Sequence, residues 1–201
     1  MMKAETTKTR VIAAGLQTLS QGGLASVTIG RLAEETGLSK SGLFAHFRSR
    51  EALELALLEE AARLALQHVV APAMLNPEGL PRLMALVGRW FGWSARAGLR
   101  GGCPIAAALF ELDDTPGAVR DRVVALDAEW RGMLRTHVEQ AVGLGHLDAG
   151  IEVDQIVWEL CGIYLAHHSA MRFNRDPEAD RRAQHALVAL LVRSGADPAN
   201  L

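Results

Sequence analysis

Apolar residues recur three and four positions apart through most of the chain, a spacing that places them on one face of an α-helix. In the first segment this pattern runs from Val11 to Leu19, and Gly22-Gly23 ends it. No stretch alternates apolar and polar residues for more than a few positions, as a half-buried β-strand would. Alanine and leucine outnumber β-branched residues, which also favours helix. We therefore predict an all-α protein of about nine helices.

Cap and turn residues divide the helical pattern into a head and a body. Three helices are expected before residue 49, and Ser49 then opens a long helix that runs to about Val70. The later helices begin at Pro81, Pro104 and Pro116, and the last two cover residues 153–173 and 177–193. We predict a head domain over residues 1–48 and a body over residues 49–201, in which residues 49–70 form a connecting helix.

The net charge of -2 conceals a change of sign along the chain. Residues 1–50 carry seven basic and three acidic side chains, a net charge of +4, whereas residues 51–201 carry 14 basic and 20 acidic ones, a net charge of -6. A basic segment on an acidic body is typical of a nucleic-acid-binding module, although many basic segments are only solvated. The composition, 49% hydrophobic and 22% charged, excludes a disordered chain.

A helix-turn-helix pattern follows Thr28. Thr28 is a good N-cap for a first helix, which ends before Gly37, a residue that tolerates the positive φ of a tight turn. Ser39 then caps a short second helix over residues 40–46. We expect Leu43 to pack inward, so that the remaining side chains of this second helix face outward.

An outward-facing second helix of this kind can enter the major groove of DNA. Lys40 adds a cation at its start, and Gly42 lets the backbone approach the DNA closely. Thr28 and Arg50, near the starts of the flanking helices, can bind phosphates, while contacts to base edges specify the sequence. The predicted DNA-binding residues are Thr28, Ser39, Lys40, Ser41, Gly42, Phe44, His46 and Arg50.

Over about residues 8–55 the chain is similar to the DNA-binding domain of the TetR family of bacterial repressors. The family's run is roughly Ile-Ala-x-x-Ala-Gly-Val-Ser-x-Gly-x-x-Tyr-x-His-Phe-x-x-Lys-Glu-x-Leu. At the same spacing the chain has Ile29, Gly37, Leu38, Ser39, Gly42, His46, Phe47, Glu51 and Leu53.

Three positions depart from the family's run. Phe44 stands where the family usually has Tyr, so a phosphate-contacting hydroxyl is absent. Arg50 replaces the usual Lys, which keeps the cation but changes its geometry. Gly30 replaces the usual Ala, which weakens the first helix of the motif by up to about 1 kcal/mol.

The resemblance implies a body that binds an effector and forms a homodimer on double-stranded DNA. In the family the last two helices of two protomers pair as a four-helix bundle, and the half-sites of a palindromic operator lie about 34–36 Å apart or multiples of that. An intramolecular core is the alternative for each residue of these helices. The predicted dimer interface consists of Ile156, Leu160, Ile163, Leu187, Leu190 and Leu191.

Aromatic residues are concentrated in the body, which holds all four tryptophans and the single tyrosine. Apolar pockets between helices, lined by aromatic side chains and a few polar groups, are frequent ligand sites. We predict a pocket for a largely apolar small-molecule effector, and core packing is the alternative for each of its residues. The candidate pocket residues are Trp90, Phe91, Cys103, Phe110, Trp130, His137, Trp158 and His167.

Cys103 supports a second functional hypothesis. It precedes Pro104 at the predicted start of a helix, where the thiolate form is favoured. The alternative function is therefore a regulator that senses oxidants or electrophiles through Cys103, and the simpler interpretation is a small residue that fills a tight turn. Nearby, the acidic residues Glu111, Asp113 and Asp114 are expected to form a cap or a solvated loop.

Other classes of protein lack their motifs here. No glycine-rich phosphate loop, GxSxG or HExxH motif indicates an enzyme, and no histidine pair four positions apart indicates a metal site, so we predict neither cofactor nor metal. Without a secretory signal or an apolar run of about 18 residues, a cytoplasmic protein that does not enter membranes is expected. We predict a ligand-responsive DNA-binding repressor, and a helical adaptor that does not bind DNA is a further alternative.

Overall fold

The computed structural model describes residues 2–201, and it describes side chains from residue 7 onward. These residues form helices joined by turns, and the described part of the chain contains no strand, which confirms the all-α prediction. The α-helices are α1 (Met2–Gly22), α2 (Ile29–Thr36), α3 (Lys40–His46), α4 (Arg50–Ala65), α5 (Ala71–Ala73), α6 (Leu80–Trp90), α7 (Trp93–Arg96), α8 (Pro104–Glu111), α9 (Ala118–Gly143), α10 (Val153–Ser169) and α11 (Ala179–Arg193).

Caps formed by neighbouring residues define α2 and α3 as the sequence predicts. The Thr28 hydroxyl accepts a hydrogen bond from the Arg31 N–H at 3.2 Å, and the Ser39 hydroxyl accepts one from the Gly42 N–H at 3.0 Å. Between the two helices, Gly37 takes a left-handed conformation with φ of 65°. The predicted helix-turn-helix is therefore present with its expected caps and turn.

The helix that was expected to end at about Val70 continues to Ala73. A π-helical turn over Leu66–Val70 joins α4 to α5, and Pro72 lies inside the continued helix. In a regular α-helix a proline ring clashes with the carbonyl four residues before it, so a change of helical geometry ahead of Pro72 is expected. The prediction stopped the helix too early because it treated the proline as a terminator.

The later helices differ from their predicted bounds by a few residues. α9 begins at Ala118 and not at Pro116, because Gly117 takes a φ of 143° that a right-handed helix does not contain. α10 ends at Ser169, and a π-helical turn over Ala170–Asn174 follows it.

The described helices fall into two compact units. The first unit contains the residues up to 64 together with residues 94–126, and the second contains residues 65–93 and 127–201. The domain boundary after residue 48 stays a prediction. The buried core of the first unit includes Val11, Leu19, Leu32, Leu43, Phe47, Leu57, Leu58 and Val123, and that of the second includes Leu83, Leu86, Trp93, Leu134, Val138, Leu160, Leu187 and Leu191.

Within the first unit, residues 98–111, which we call the clasp, hold the C-terminal end of α1. The Gly101 N–H donates to the Ser20 hydroxyl at 3.2 Å, and the Gly102 N–H donates to the Ser20 carbonyl at 2.9 Å. The Arg100 N–H donates to the side-chain oxygen of Gln17 at 3.0 Å. A Cβ atom at Gly101 would lie 1.8 Å from the Ser20 carbonyl oxygen, so only glycine permits this approach.

The last residue of the clasp, Glu111, caps the turn that follows α1. Its two carboxylate oxygens accept hydrogen bonds from the Leu24 N–H at 2.7 Å and the Ala25 N–H at 2.5 Å. Gly23, with φ of 75°, leaves room for this carboxylate, because a Cβ there would lie 2.5 Å from a Glu111 oxygen. Glu111 is therefore a cap, but for a segment 86 and 87 positions away along the chain.

Candidate nucleic-acid interface

The packing of α2 against α3 decides which side chains face outward. Leu32, Ala33 and Leu43 are buried, and Leu38 in the turn is half-buried. α2 is in turn tied to α1, since the Thr18 hydroxyl donates to the Glu35 carboxylate at 3.0 Å. The inward face of α3 is thereby fixed to a buried core, which leaves its other face accessible.

The accessible face of α3 carries most of the predicted DNA-binding residues. Lys40, Ser41 and Phe44 are exposed, and Gly42 and His46 are partly exposed. The face therefore combines a cation, hydroxyl groups and an aromatic ring. Such groups contact phosphates and the edges or methyl groups of bases.

The hydroxyl groups at the start of α3 have a structural role as well. Ser39 accepts the Gly42 N–H, and its oxygen lies 3.0 Å from the Ser41 oxygen. A hydroxyl that accepts one hydrogen bond can still donate its own proton to an acceptor. A Cβ at Gly42 would lie 3.2 Å from the Ser39 oxygen, so the glycine also leaves space for the cap.

Arg50, a predicted phosphate ligand, is held by two groups of the chain itself. Its Nε donates to the Glu54 carboxylate at 2.7 Å, and its Nη2 donates to the Leu24 carbonyl at 3.3 Å. The Glu54 side chain is only 12% exposed. Arg50 thus connects the start of α4 to the turn that Glu111 caps.

Arg48 was not among the predicted residues, although it lies in the same connection between α3 and α4. It is exposed, and none of the side chains described, from residue 7 to residue 201, forms a hydrogen bond or ion pair with it. The count of basic residues in the head includes Arg48, but the family's run leaves its position unspecified. The resemblance therefore predicts a phosphate-binding role for Arg50 and predicts none for Arg48.

Several of the candidate pocket residues form an aromatic cluster in the second unit. The rings of Trp90 and Tyr164 stack with their centroids 3.8 Å apart, and Trp130 lies 4.7 Å from Trp90 on centroids. The Trp93 indole donates to the Tyr164 hydroxyl at 3.1 Å. The indole nitrogen of Trp130 is buried and has no hydrogen-bond partner among the described residues.

Two predicted histidines of the second unit are buried and hydrogen-bonded. His167 contacts Asp180 at 2.7 Å through Nε2 and packs against Phe91 with ring centroids 5.0 Å apart. His137 lies 3.0 Å from Gln140 through Nδ1. Both histidines are therefore core residues, and one ring nitrogen of each has a hydrogen-bond partner within the chain.

The remaining candidate pocket residues are placed differently. The Phe110 side chain is 65% exposed and that of Trp158 is 64% exposed, so neither lines an interior of its own unit. Cys103 and Phe110 belong to the first unit, whereas the other six candidates belong to the second. The sequence could not distinguish these cases, because an aromatic residue on an amphipathic helix is compatible with a core, a pocket or an interface.

Most of the predicted dimer-interface residues are buried within the chain itself. α10 packs on α11, and Ile163 is the one member of the set that is half-buried. This burial agrees with the intramolecular alternative for the buried members, and the interface itself stays a prediction. On the same two helices, Trp158 and Val192 are exposed. The buried members are Ile156, Leu160, Leu187, Leu190 and Leu191.

Both cysteines are buried, and neither forms a disulfide bond. The Cys103 sulfur accepts a hydrogen bond from the Ala106 N–H at 3.4 Å, which makes this thiol the N-cap of α8. Burial raises the pKa of the Cys161 thiol to about 11, although the nearby Arg131 guanidinium acts in the opposite direction. A buried thiol with a raised pKa is a weak nucleophile at neutral pH, so Cys161 has no sign of a sensing role.

The described part of the chain contains neither a group of metal-binding side chains nor a membrane-spanning helix. No three His, Cys, Asp or Glu side chains are grouped there so as to hold a metal ion. None of the helices described is long and apolar enough to cross a membrane.

Known proteins resemble this chain in both its head and its body. Residues 11–57 match the family described as bacterial regulatory proteins, tetR family, and residues 79–187 match the tetracyclin repressor-like C-terminal domain. No curated protein matches the sequence. A TetR transcriptional regulator from Chloroflexus aurantiacus has 27% identity and a TM-score of 0.83, with 96% of each chain covered.

Two further solved structures share the fold at lower identity. A TetR-family regulator from Cytophaga hutchinsonii is 18% identical with a TM-score of 0.85, over 96% of this chain and 97% of its own. FadR from Bacillus subtilis, solved in complex with stearoyl-CoA, is 14% identical with a TM-score of 0.73, over 91% of this chain and 97% of its own.

Proposed function

The chain belongs to the TetR family of bacterial transcriptional regulators, which bind DNA, and we propose that it is a repressor that a small-molecule effector releases from a palindromic operator. The observation that carries the proposal is the accessible face of α3. Lys40, Ser41 and Phe44 are exposed on a short helix whose Leu43 is anchored in the core. A rigid helix with one free polar face is what direct reading of the major groove requires.

The repressor is proposed to act as a homodimer. One short recognition helix reads few base pairs, and two of them related by a twofold axis match a palindromic site. The large exposed side chain of Trp158 on α10, with Val192 on α11, supports an interface on these two helices. Exposed aromatic residues are enriched at interfaces and frequently contribute most to the binding energy.

The effector is proposed to be largely apolar and to bind in the second unit. The aromatic cluster of Trp90, Trp130 and Tyr164 supports this proposal, and the unpartnered indole N–H of Trp130 is a donor for an acceptor group on the ligand. The FadR structure contains stearoyl-CoA, so this acyl thioester is a suitable first probe. An effector that prefers the conformation with low DNA affinity would shift the population and release the operator.

The test is a titration of the full-length protein against DNA from upstream of its own gene, by fluorescence anisotropy at several salt concentrations. Affinity should fall steeply with salt through release of counterions. Lys40→Ala should weaken binding, whereas Arg120→Ala, which removes a cation from α9, serves as the control. Flat salt dependence, or no binding at low salt, would contradict the proposal and favour the helical adaptor.

A further inference from the structure

We propose that Arg48, and not Arg50, supplies the phosphate-binding cation at the connection between α3 and α4, and that Arg50 is a positioning residue for the turn at Leu24. This inference rests on the proposed DNA binding. It reassigns a role that spacing along the sequence gives to Arg50.

Arg50 is already committed to partners within the first unit. Its ion-pair partner Glu54 has a side chain that is only 12% exposed, and the two groups lie 2.7 Å apart. The Arg50 side chain itself is 53% exposed, so the pair lies at the surface edge of the unit, and removing Arg50 leaves the poorly exposed Glu54 carboxylate without its partner. Because the Glu54 carboxylate stays within 2.7 Å, it offsets much of the positive charge that the remaining N–H donors of Arg50 could offer to a phosphate.

The second hydrogen bond of Arg50 goes to Leu24, a residue that Glu111 also binds. The Leu24 carbonyl accepts from Arg50 at 3.3 Å, and the Leu24 N–H donates to Glu111 at 2.7 Å. The Leu24 N–H is therefore held by a carboxylate from the clasp, and the Leu24 carbonyl accepts both the Val27 N–H at 3.0 Å and the Arg50 guanidinium from α4. Arg50 is thus a link between the turn after α1 and the helix that follows the recognition helix.

In contrast to Arg50, Arg48 has a side chain without hydrogen bonds to the described residues, while hydrogen bonds of its neighbours hold the backbone on either side of it. On one side Phe47 is buried, with its N–H bonded to the Leu43 carbonyl at 2.9 Å. On the other side Ser49 caps α4 by accepting the Ala52 N–H at 3.0 Å. The guanidinium between them is exposed and is bonded to none of the side chains described from residue 7 onward.

Such an arginine can bind a phosphate without breaking any existing bond. Lys40 at the start of α3 and Arg48 just after its end bracket the accessible face of the helix with two exposed cations. Guanidinium groups also match the geometry of phosphate oxygens through paired hydrogen bonds. The proposed contact therefore anchors the C-terminal end of α3 on the DNA backbone.

The experiment compares Arg48→Ala, Arg50→Ala and Glu54→Gln in the full-length protein, with Arg63→Ala on α4 as the control. Operator affinity is measured at several salt concentrations, and thermal unfolding is measured for each variant. Loss of one phosphate contact should reduce the slope of log K against log[salt] by about 0.9 per protomer, or about 1.8 per dimer. We expect this reduction for Arg48→Ala, with roughly tenfold weaker binding at low salt and an unchanged Tm.

Arg50→Ala should lower the Tm and leave the slope as in the wild type. Glu54→Gln separates the two roles without touching either arginine: it should also lower the Tm and keep the slope, whereas a phosphate-seeking Arg50 released from its partner would increase the slope. A reduced slope for Arg50→Ala together with a wild-type slope for Arg48→Ala overturns the inference and leaves the proposed function intact. Wild-type protein without salt-dependent DNA binding overturns the proposed function, and this inference with it.

Discussion

Glu111 and Leu24 lie 87 positions apart in the chain, and a carboxylate oxygen of Glu111 accepts the Leu24 N–H at 2.7 Å. The other oxygen accepts the Ala25 N–H at 2.5 Å. Charge-assisted bonds to backbone donors are stronger than neutral ones, and a buried donor that loses its partner costs free energy. We therefore assign to Glu111 the role of holding the turn between α1 and α2 in place.

Replacing Glu111 by Ala should lower the free energy of unfolding by about 1–3 kcal/mol, because two backbone donors lose their acceptor. Urea unfolding followed by circular dichroism measures this change. Asp114→Ala is the matched control, since it removes an exposed acidic residue of the same stretch. Equal stabilities of the two variants would mean that the Glu111 bonds contribute nothing to folding.

Replacing Gly101 by Ala should destabilise the protein by about 3 kcal/mol or more, since the new Cβ would overlap the backbone of α1. It would lie 1.8 Å from the Ser20 carbonyl oxygen and 2.6 Å from the Gln21 nitrogen. Gly88→Ala provides the contrast, because a Cβ there meets no described atom within 4 Å beyond its chain neighbours and the backbone of its own helix, and α6 should gain about 0.5–1 kcal/mol of stability. Thermal unfolding of both variants tests the pair, and a tolerated Gly101→Ala would show that the clasp is not closely packed.

The Cys161 thiol should make stability decline in alkali. Its pKa is raised to about 11 in the fold, so between about pH 9 and pH 11 the unfolded chain loses the proton while the folded chain keeps it. The contribution of the Cys161 thiol to the free energy of unfolding is fully present below about pH 9. Roughly 2–3 kcal/mol of that free energy should be lost as the pH rises through 11.

The measurement for Cys161 is the unfolding free energy against pH for the wild type and for Cys161→Ala. The variant should show a flatter alkaline decline, and Val157→Ala, a truncation of another buried residue on α10, should decline like the wild type. Parallel curves for all three proteins would rule out a contribution from this thiol.

Trp158 should be central to the dimer. Truncating a well-packed aromatic residue at an interface costs about 2 kcal/mol or more, so Trp158→Ala should raise the dimer dissociation constant at least about 30-fold. Sedimentation velocity over a range of concentrations measures this constant. Phe173→Ala also removes an exposed aromatic ring, but outside α10 and α11, and it should leave the dimer unchanged. Similar effects of both substitutions would argue against an interface on these helices.

The parts of the fold that depend on neighbouring residues could be predicted from the sequence. Thr28 and Ser39 cap their helices through a donor three residues ahead, and Gly37 supplies the positive φ between them. These are local rules, and they require no knowledge of the remaining chain. The helix-turn-helix motif could be predicted from the sequence for the same reason.

The contacts that distant segments make could not be predicted in this way. Nothing near Glu111 in the sequence indicates that its partners are Leu24 and Ala25, and nothing near Arg50 indicates a bond to Leu24. Likewise, the residue type of Leu160 or Leu187 fits an intramolecular core and a partner helix equally well, and their burial within the chain results from packing with distant segments. Tertiary context, and not residue type, determines these roles.

The clasp also bears on the construction of hybrid regulators. A chimaera joined only at residue 48 would transplant Ser20, Leu24 and Ala25 without Gly101, Gly102 and Glu111, the groups that bind them. The transplanted DNA-binding head would then contain backbone groups without hydrogen-bond partners, because the body of the other protein does not supply Gly102 and Glu111 at that position. Exchange of DNA specificity between such proteins therefore calls for moving residues 94–126 as a second cassette together with the N-terminal one.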